Sequence, residues 1–488
     1  MSAIKKLAKQ AATYGFSTML GRLLNYSLVP LHLRIFRPEE YGVVADLYAY
    51  VAFLGVLLTY GMETAYFRFA VKPEENPEKV YSTAYLSHII SSALFLGIFI
   101  GFSSPIAGFL RYPNHIEYVI WFAFIVVLDA LTALPLARLR RENRAKRFVG
   151  VRLTNISIYV AFNLIFLLLL PYLAQQGIEI PYLYNPNIGV GYVFIANLIA
   201  SGFTLLMLSP QIAKARAGFD GDLLKRLLKY AWPILIMGFA GMINEVFDRI
   251  LLKYLLPTDD LNKQYLVGIY GACYKISIFM TLFVQMYRFA AEPFFFSQSQ
   301  GKDSHQIHAD VMKYFVLAGS LIFLGVMLYI DVIKYILIGN AEYYPGLVIV
   351  PWLLLGNLFL GMYFNYSFWF KLTDKTYAGA IISILGALVT LVLNWLLIPI
   401  MGYLGSAIAT FVCYAFMMVT CYLWGRGRFP VPYDNGRILL YLSMAIGFYI
   451  VSLQLQMEGF MLYITNTVLL LLYVAIAYFL EKPEKELI

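Results

Sequence analysis

Residues 12–36 read ATYGFSTMLGRLLNYSLVPLHLRIF. The run exceeds the roughly 20 apolar residues that cross a ~30 Å hydrocarbon core, so it reads as a membrane span. At about 1.5 Å of rise per residue, Arg22 lies about 15 Å into it, near mid-depth. A guanidinium there costs at least roughly 2.5–3.5 kcal/mol and cannot shed its proton. It must face a watery cavity or a partner. In a chain of many spans, the functional reading is a path for something negative. The structural reading is an internal ion pair.

Composition carries the first span's character through the chain. Of 488 residues, 61% are hydrophobic and 13% charged, and the mean hydropathy is +0.71. Such a chain is an all-α polytopic membrane protein. Lys5, Lys6 and Lys9 precede a segment too long for a signal-peptide core and lacking a small-residue cleavage site, so the first span is expected to be retained. The net charge of +9 is read as loop charge that sets orientation, not as a nucleic-acid footprint. Cys273, Cys413 and Cys421 lie in apolar runs and are expected to be small buried packing residues rather than disulfides or metal ligands.

About fourteen spans are expected, near 12–36, 41–66, 80–104, 116–137, 148–172, 188–209, 230–256, 265–289, 311–338, 345–370, 377–400, 403–424, 437–455 and 459–480. With the N-terminus in the cytoplasm, the inner loops gather Arg138, Arg140, Arg141, Arg144, Lys146 and Arg147, then Lys214 to Lys229, then Arg426, Arg428 and Arg437. The outer loops hold few cations, chiefly Arg37, Arg111 and Lys263. That alternation places both termini in the cytoplasm.

The halves echo each other. Asn163 and Pro171 late in span 5 correspond to Asn394 and Pro399 late in span 11. RPEEYGVVADLYAY after span 1 echoes LVGIYGACYKIS after span 7. A repeat of about six spans is even, which gives two parallel lobes with a cleft between them. The expected division is residues 1–210, 211–425 and two further spans in 426–488.

Deep charges supply the candidate site residues. Arg22 with Asn25 one turn later, Lys275 about ten residues into span 8, and Arg249 of span 7 are headgroup candidates. His32 lies on a nearby face and extends that polar track. Glu245, Asp248 and Arg249 cluster in span 7; Glu245 and Arg249 are four apart and can pair, which leaves a spare carboxylate. Asp46 and Asp129 are single carboxylates, read as ion-coupling candidates with Glu245 and Asp248, or as partners of the deep cations. Glu63 with Arg68, and Asp331 with Lys334, are read as interfacial pairs. No nucleophile–base set, metal-ligand spacing or Walker A loop is present.

LGRLLNYSLVPLHLRIFRPEEYG and TYGMETAYFRFA (residues 59–70) resemble the first two spans of the oligosaccharide (Wzx-type) flippases. These belong to the multidrug/oligosaccharidyl-lipid/polysaccharide exporter superfamily. The resemblance runs over nearly the whole chain. It implies two six-helix lobes in a V-shaped bundle plus two C-terminal helices. It also implies a flippase moving undecaprenyl-diphosphate-linked glycan across the bacterial inner membrane by alternating access. No cofactor is implied beyond a coupling ion, H+ or Na+. The partners implied are membrane lipids, the lipid-linked glycan, and polysaccharide polymerase and chain-length machinery. Related peptidoglycan-precursor flippases use a first-span Arg at the position of Arg22. Their second Arg, six residues on, is Leu28 here, which favours another lipid-linked glycan. A drug/cation antiporter of the same superfamily is the runner-up. A membrane glycan polymerase or ligase is third, disfavoured by the short outer loops.

Overall fold

The computed structural model describes residues 21, 23–178, 183–298, 304–373, 375–455 and 457–482, without the side chains of 292, 293, 296–298 and 304. Arg22 and the start of the first span lie outside them. The described residues are helical, with no strand among them.

Residues 23–27 are helical, and α1 (Val29–Ile35) follows them. Among the described residues, eleven helices are long and apolar enough to cross a membrane. They are α2 (Pro38–Phe69), α3 (Pro77–Gly101), α4 (Ile116–Arg141), α5 (Ala145–Gln175), α8 (Asp260–Ala291), α9 (His305–Leu328), α10 (Ala341–Leu372), α11 (Tyr377–Met401), α12 (Tyr403–Arg426), α13 (Asn435–Gln454) and α14 (Gly459–Glu481). The shorter apolar α6 (Gly191–Met207) and the charge-bearing α7 (Gly221–Leu255) lie between α5 and α8, and short helices at Ser103–Phe109, Ser209–Ile212 and Ile330–Leu337 sit between the long ones. Expected spans 2 to 14 each coincide with one of the helices α2 to α14, and the start of the first expected span lies outside the described residues; the all-α fold class stands, with a helix count close to the expected fourteen.

Local chemistry sets the boundaries. Asn76 caps α3 by accepting from the Glu78 and Lys79 amides, and Asp220 caps α7 through the Asp222 and Leu223 amides. α2 breaks at Tyr60 (φ 34) and Gly61 (φ 70). There a Gly61 Cβ would lie 3.0 Å from the Ala231 carbonyl of α7. In α5, a π-helical stretch at Ile165–Leu169 precedes Pro171, one of the ways a membrane helix absorbs a proline.

Two compact units result, Met1–Gly271 and Ala272–Ile488, with the boundary inside α8. In unit 1, α3 packs on α4, α5 on α6, and α2 on α4 and α7. In unit 2, α12 packs on α10 and α11, while α13 and α14 pack on α9 and each other. Lys313 and Arg437 clamp the end of α14 through Glu481 at 2.6 and 2.9 Å. The three cysteines are buried and unbridged, as their apolar setting led one to expect.

The repeat has a structural counterpart. Asn163 and Asn394 are both fully buried. Each donates Nδ2 to the carbonyl four residues back, Tyr159 and Thr390, at 2.8 Å. Each then offers Oδ1 to a neighbour, His32 in one unit and Ser406 in the other.

Candidate functional site

The two echoing motifs meet in unit 1. The start of α2 crosses the start of α8 at glycines. A Cβ on Gly268 would stand 1.8 Å from the Pro38 carbonyl oxygen, and one on Gly42 would stand 2.1 Å from the Gln264 carbonyl oxygen. Small residues at this crossing let backbones touch.

Beside the crossing lies a buried ion pair. Lys253 Nζ of α7 is 2.5 Å from Asp46 Oδ2 of α2, with side chains 2% and 1% exposed. Tyr112, in the turn between α3 and α4, donates to the same oxygen at 2.8 Å, and its ring lies 3.8 Å from Lys253 Nζ. Burial pushes the Tyr112 hydroxyl up and the Asp46 charge adds to it, so it stays a donor. Asp46 Oδ1 is buried without a hydrogen bond. The turn is tied down twice more: Arg111 pairs with Asp260 at 2.5 Å, and Tyr254 donates to the Phe109 carbonyl at 3.1 Å. Asp46 therefore has its partner in Lys253, a cation that the sequence reading passed over.

A polar track runs through the same unit. His32 Nε2 donates to Asn163 Oδ1 at 2.8 Å, because the Asn163 amide nitrogen is committed to Tyr159. The hydroxyls of Tyr159 and Tyr48 lie 3.4 Å apart, and Asn197 donates to Tyr48 at 3.0 Å. Ser201 sits 3.4 Å from Asn197 Oδ1 and donates to Asp129 Oδ1 at 2.9 Å. Asp129 thus ends a chain of polar groups that begins on the first helix, and Arg152 is the cation acting on it.

The other candidates are placed separately. Asp248 is buried, accepts from Tyr270 at 2.5 Å and lies 3.7 Å from Arg249. Arg249 reaches the Glu245 carbonyl, not its carboxylate, at 3.4 Å; the Glu245 side chain is exposed. Asn25 is exposed. Lys275 begins a 3-10 turn of α8 in unit 2 and is half-buried. Among the described residues no group of three or more metal-ligating side chains gathers.

The basic end of unit 1 is an ion-pair belt. Arg138, 2% exposed, pairs with Glu78 and Glu142 at 2.7 Å each. Lys79 pairs with Asp220 at 2.8 Å. Glu63 pairs with Arg140 rather than with Arg68, whose guanidinium lies 5.9 Å from the Tyr230 ring. Asp331 does pair with Lys334. Burial pushes the Glu142 carboxyl up, but Arg138, Lys214 and Arg144 outweigh burial and hold it below the usual carboxylate range. A group whose folded pKa is depressed contributes stability above its unfolded value of about 4.3, and loses it as pH falls toward the folded value. The thermal stability of the detergent-purified protein is therefore expected to hold from pH 7 to about 5 and to fall below about pH 4. Glu142→Gln should flatten part of that acid loss; an unchanged acid slope in the variant would remove Glu142 as a contributor.

Lys253, Tyr112 and Arg152 are the residues that sequence reasoning missed. Lys253 stands four residues before Pro257 at a helix end and looks like an interface lysine. The available signal was Asp46 itself, a deep carboxylate that demanded a cation from elsewhere.

Comparison with known proteins follows the same lines. A family described as polysaccharide biosynthesis protein matches residues 33–173, the segment holding Asp46, Asp129, Arg152 and Asn163. No curated protein matches the chain in sequence. Among solved structures, lipid II flippase MurJ in an inward closed conformation superposes with a TM-score of 0.71 at 14% identity, over 95% of this chain and 98% of that one. An inward-facing multidrug resistance MATE family transporter of the MOP superfamily gives 0.67 at 14% identity, over 84% and 94%. MATE in complex with MaD3S gives 0.58 at 14% identity, over 88% and 98%. The fold is the one these membrane flippases and transporters share, and the chain is a multi-pass membrane protein. Together with the family match, that fold bears out the flippase-family resemblance drawn from the sequence.

Proposed function

We propose that the protein is a flippase. It moves an undecaprenyl-diphosphate-linked oligosaccharide, an O-antigen or exopolysaccharide repeat unit, across the bacterial cytoplasmic membrane by alternating access. Both termini lie in the cytoplasm, and an H+ or Na+ gradient drives the cycle through Asp129 and the acidic groups of α7. Polysaccharide polymerase and chain-length machinery receive the product. One observation carries this reading: the polysaccharide-biosynthesis match falls on a segment of deep polar groups, within a fold shared with a lipid II flippase.

The chemistry supports it. A diphosphate favours charge-assisted donors such as Arg22, Arg249 and Lys275. The lipid tail remains in the bilayer beside α13 and α14. These pack on α9 around a recess lined by Met327, Leu328, Tyr449, Leu453 and Leu462, with Asp331, Ser452 and Asn466 as its polar members. The likeness to MATE transporters supports the second reading, a drug/cation antiporter.

The test is reconstitution in liposomes with a labelled undecaprenyl-diphosphate oligosaccharide. The label's accessibility to an external modifying enzyme is followed over time. Wild-type protein is expected to move it, Arg22→Ala to abolish movement at normal expression, and Arg22→Lys to recover part, since lysine lacks the bidentate fork. Normal movement by Arg22→Ala would sink the headgroup role of Arg22. Movement of a cationic dye, but of no lipid-linked glycan, would establish the antiporter instead.

A further inference from the structure

Arg152 is exposed, although it lies two turns inside a helix that crosses the membrane. It makes no hydrogen bond or ion pair among the described residues; its nearest ring is Phe148, whose centroid is 5.9 Å from the guanidinium carbon. The helix says which way it faces. Gly150, Ser157, Ala161, Leu164 and Leu168 are the exposed stripe of α5, and this is its outward side. At about 100° per residue, Arg152 points roughly 200° away from Gly150. It shares its face with Ile156, Tyr159 and Asn163, which are buried or bonded to α1 and α2. Its exposure is therefore to an internal space of unit 1, not to lipid. An unpaired guanidinium held there is costly unless the space is wet and something anionic visits it.

A second guanidinium flanks the same ring. Arg140 also lies 5.9 Å from the Phe148 centroid. Glu63 occupies its Nη2 edge, while its Nε is buried without a hydrogen-bond partner. Two guanidinium groups thus stand by the ring of Phe148, that of Arg140 on a side chain still 35% exposed, at the end of the unit where the basic loops gather. Planar, doubly donating guanidinium groups suit phosphate oxygens better than lysines do.

We propose that Arg152 and the exposed part of the Arg140 side chain form a receiving site for a phosphate-bearing lipid headgroup, occupied before the substrate reaches mid-membrane. The proposal rests on the flippase reading and adds to it a loading site that the mid-depth cations do not supply. Asp129, behind Arg152, balances the charge of the empty site.

The experiment uses the full chain, purified in an uncharged detergent and titrated with farnesyl diphosphate and with inorganic pyrophosphate; farnesol is the uncharged control. Wild type is expected to bind both diphosphates and not farnesol. Arg152→Gln should weaken binding at least about tenfold, and Arg152→Lys less. The melting temperature of Arg152→Gln should not fall, because the variant removes an unpaired cation. Unchanged binding by Arg152→Gln would overturn the assignment. So would a clear drop in its melting temperature with intact binding, which would make Arg152 a structural partner of Asp129. Displacement of farnesyl diphosphate by phosphatidylglycerol at equal concentration would assign the site to bulk lipid instead of substrate. Absence of diphosphate binding by the wild type would fail the flippase reading itself, and this proposal with it.

Discussion

Lys253→Met is expected to destabilise the protein by roughly 3–5 kcal/mol, the cost of leaving a buried carboxylate without its cation. Asp46 is 1% exposed, its Oδ1 has no hydrogen bond, and among the described residues its other oxygen is held by Lys253 and Tyr112. Taking away the ammonium leaves one tyrosine hydroxyl to solvate the charge. Removing both charges should cost far less: Lys253→Met with Asp46→Leu is expected to recover most of the loss, since well-packed apolar replacements of buried pairs are often neutral. Lys225→Ala breaks a 3.1 Å contact to Asp222, with side chains 81% and 90% exposed, and should change stability by no more than about 1 kcal/mol. Thermal unfolding of the three variants in detergent measures the set. Wild-type stability in Lys253→Met would mean that the pair is solvated, and the knot at this end of unit 1 would lose its energetic basis.

The second large effect is a difference in sign between two identical substitutions. Gly→Ala inside a helix gains about 0.5–1 kcal/mol where there is room. Gly55 of α2 has nothing within 4 Å of its virtual Cβ, so Gly55→Ala should stabilise by that amount. At Gly268 the new methyl would meet the Pro38 carbonyl oxygen at 1.8 Å. That atom is backbone and cannot swing aside, so α2 and α8 must separate. Gly268→Ala is expected to cost at least about 1–3 kcal/mol, as overpacking does. On the flippase reading it should also bias the transport cycle away from any state in which the two helix ends touch. Melting temperatures that rise for both variants would refute the crossing.

How much of this was legible in the sequence follows from particular residues. The spans were, because hydrophobic length is a property of consecutive residues: the run from 377 to 400 announces α11 without reference to any neighbour. The echo of RPEEYGVVADLYAY in LVGIYGACYKIS was also legible, but not its reason. Gly42 and Gly268 are needed because those two segments cross each other, and no single segment records that. The pairing Glu63–Arg68 suggested by proximity along the helix gave way to Glu63–Arg140, because α2 and α4 meet there. The exposed face of Arg152 could be read only once the outward stripe of α5 was known.

The sequence by itself determined that this chain is a bundle of membrane helices with charges too deep to be idle. Span length and the desolvation cost of a charge are local quantities, so they are written residue by residue. The tertiary structure decided the partners. Lys253 serves Asp46 across 207 residues of chain, His32 serves Asn163 across 131, and Arg152 is left without an ion pair among the described residues, on an inward face. Which charge meets which depends on the faces that helix packing brings together, and packing is settled only when the whole unit has assembled.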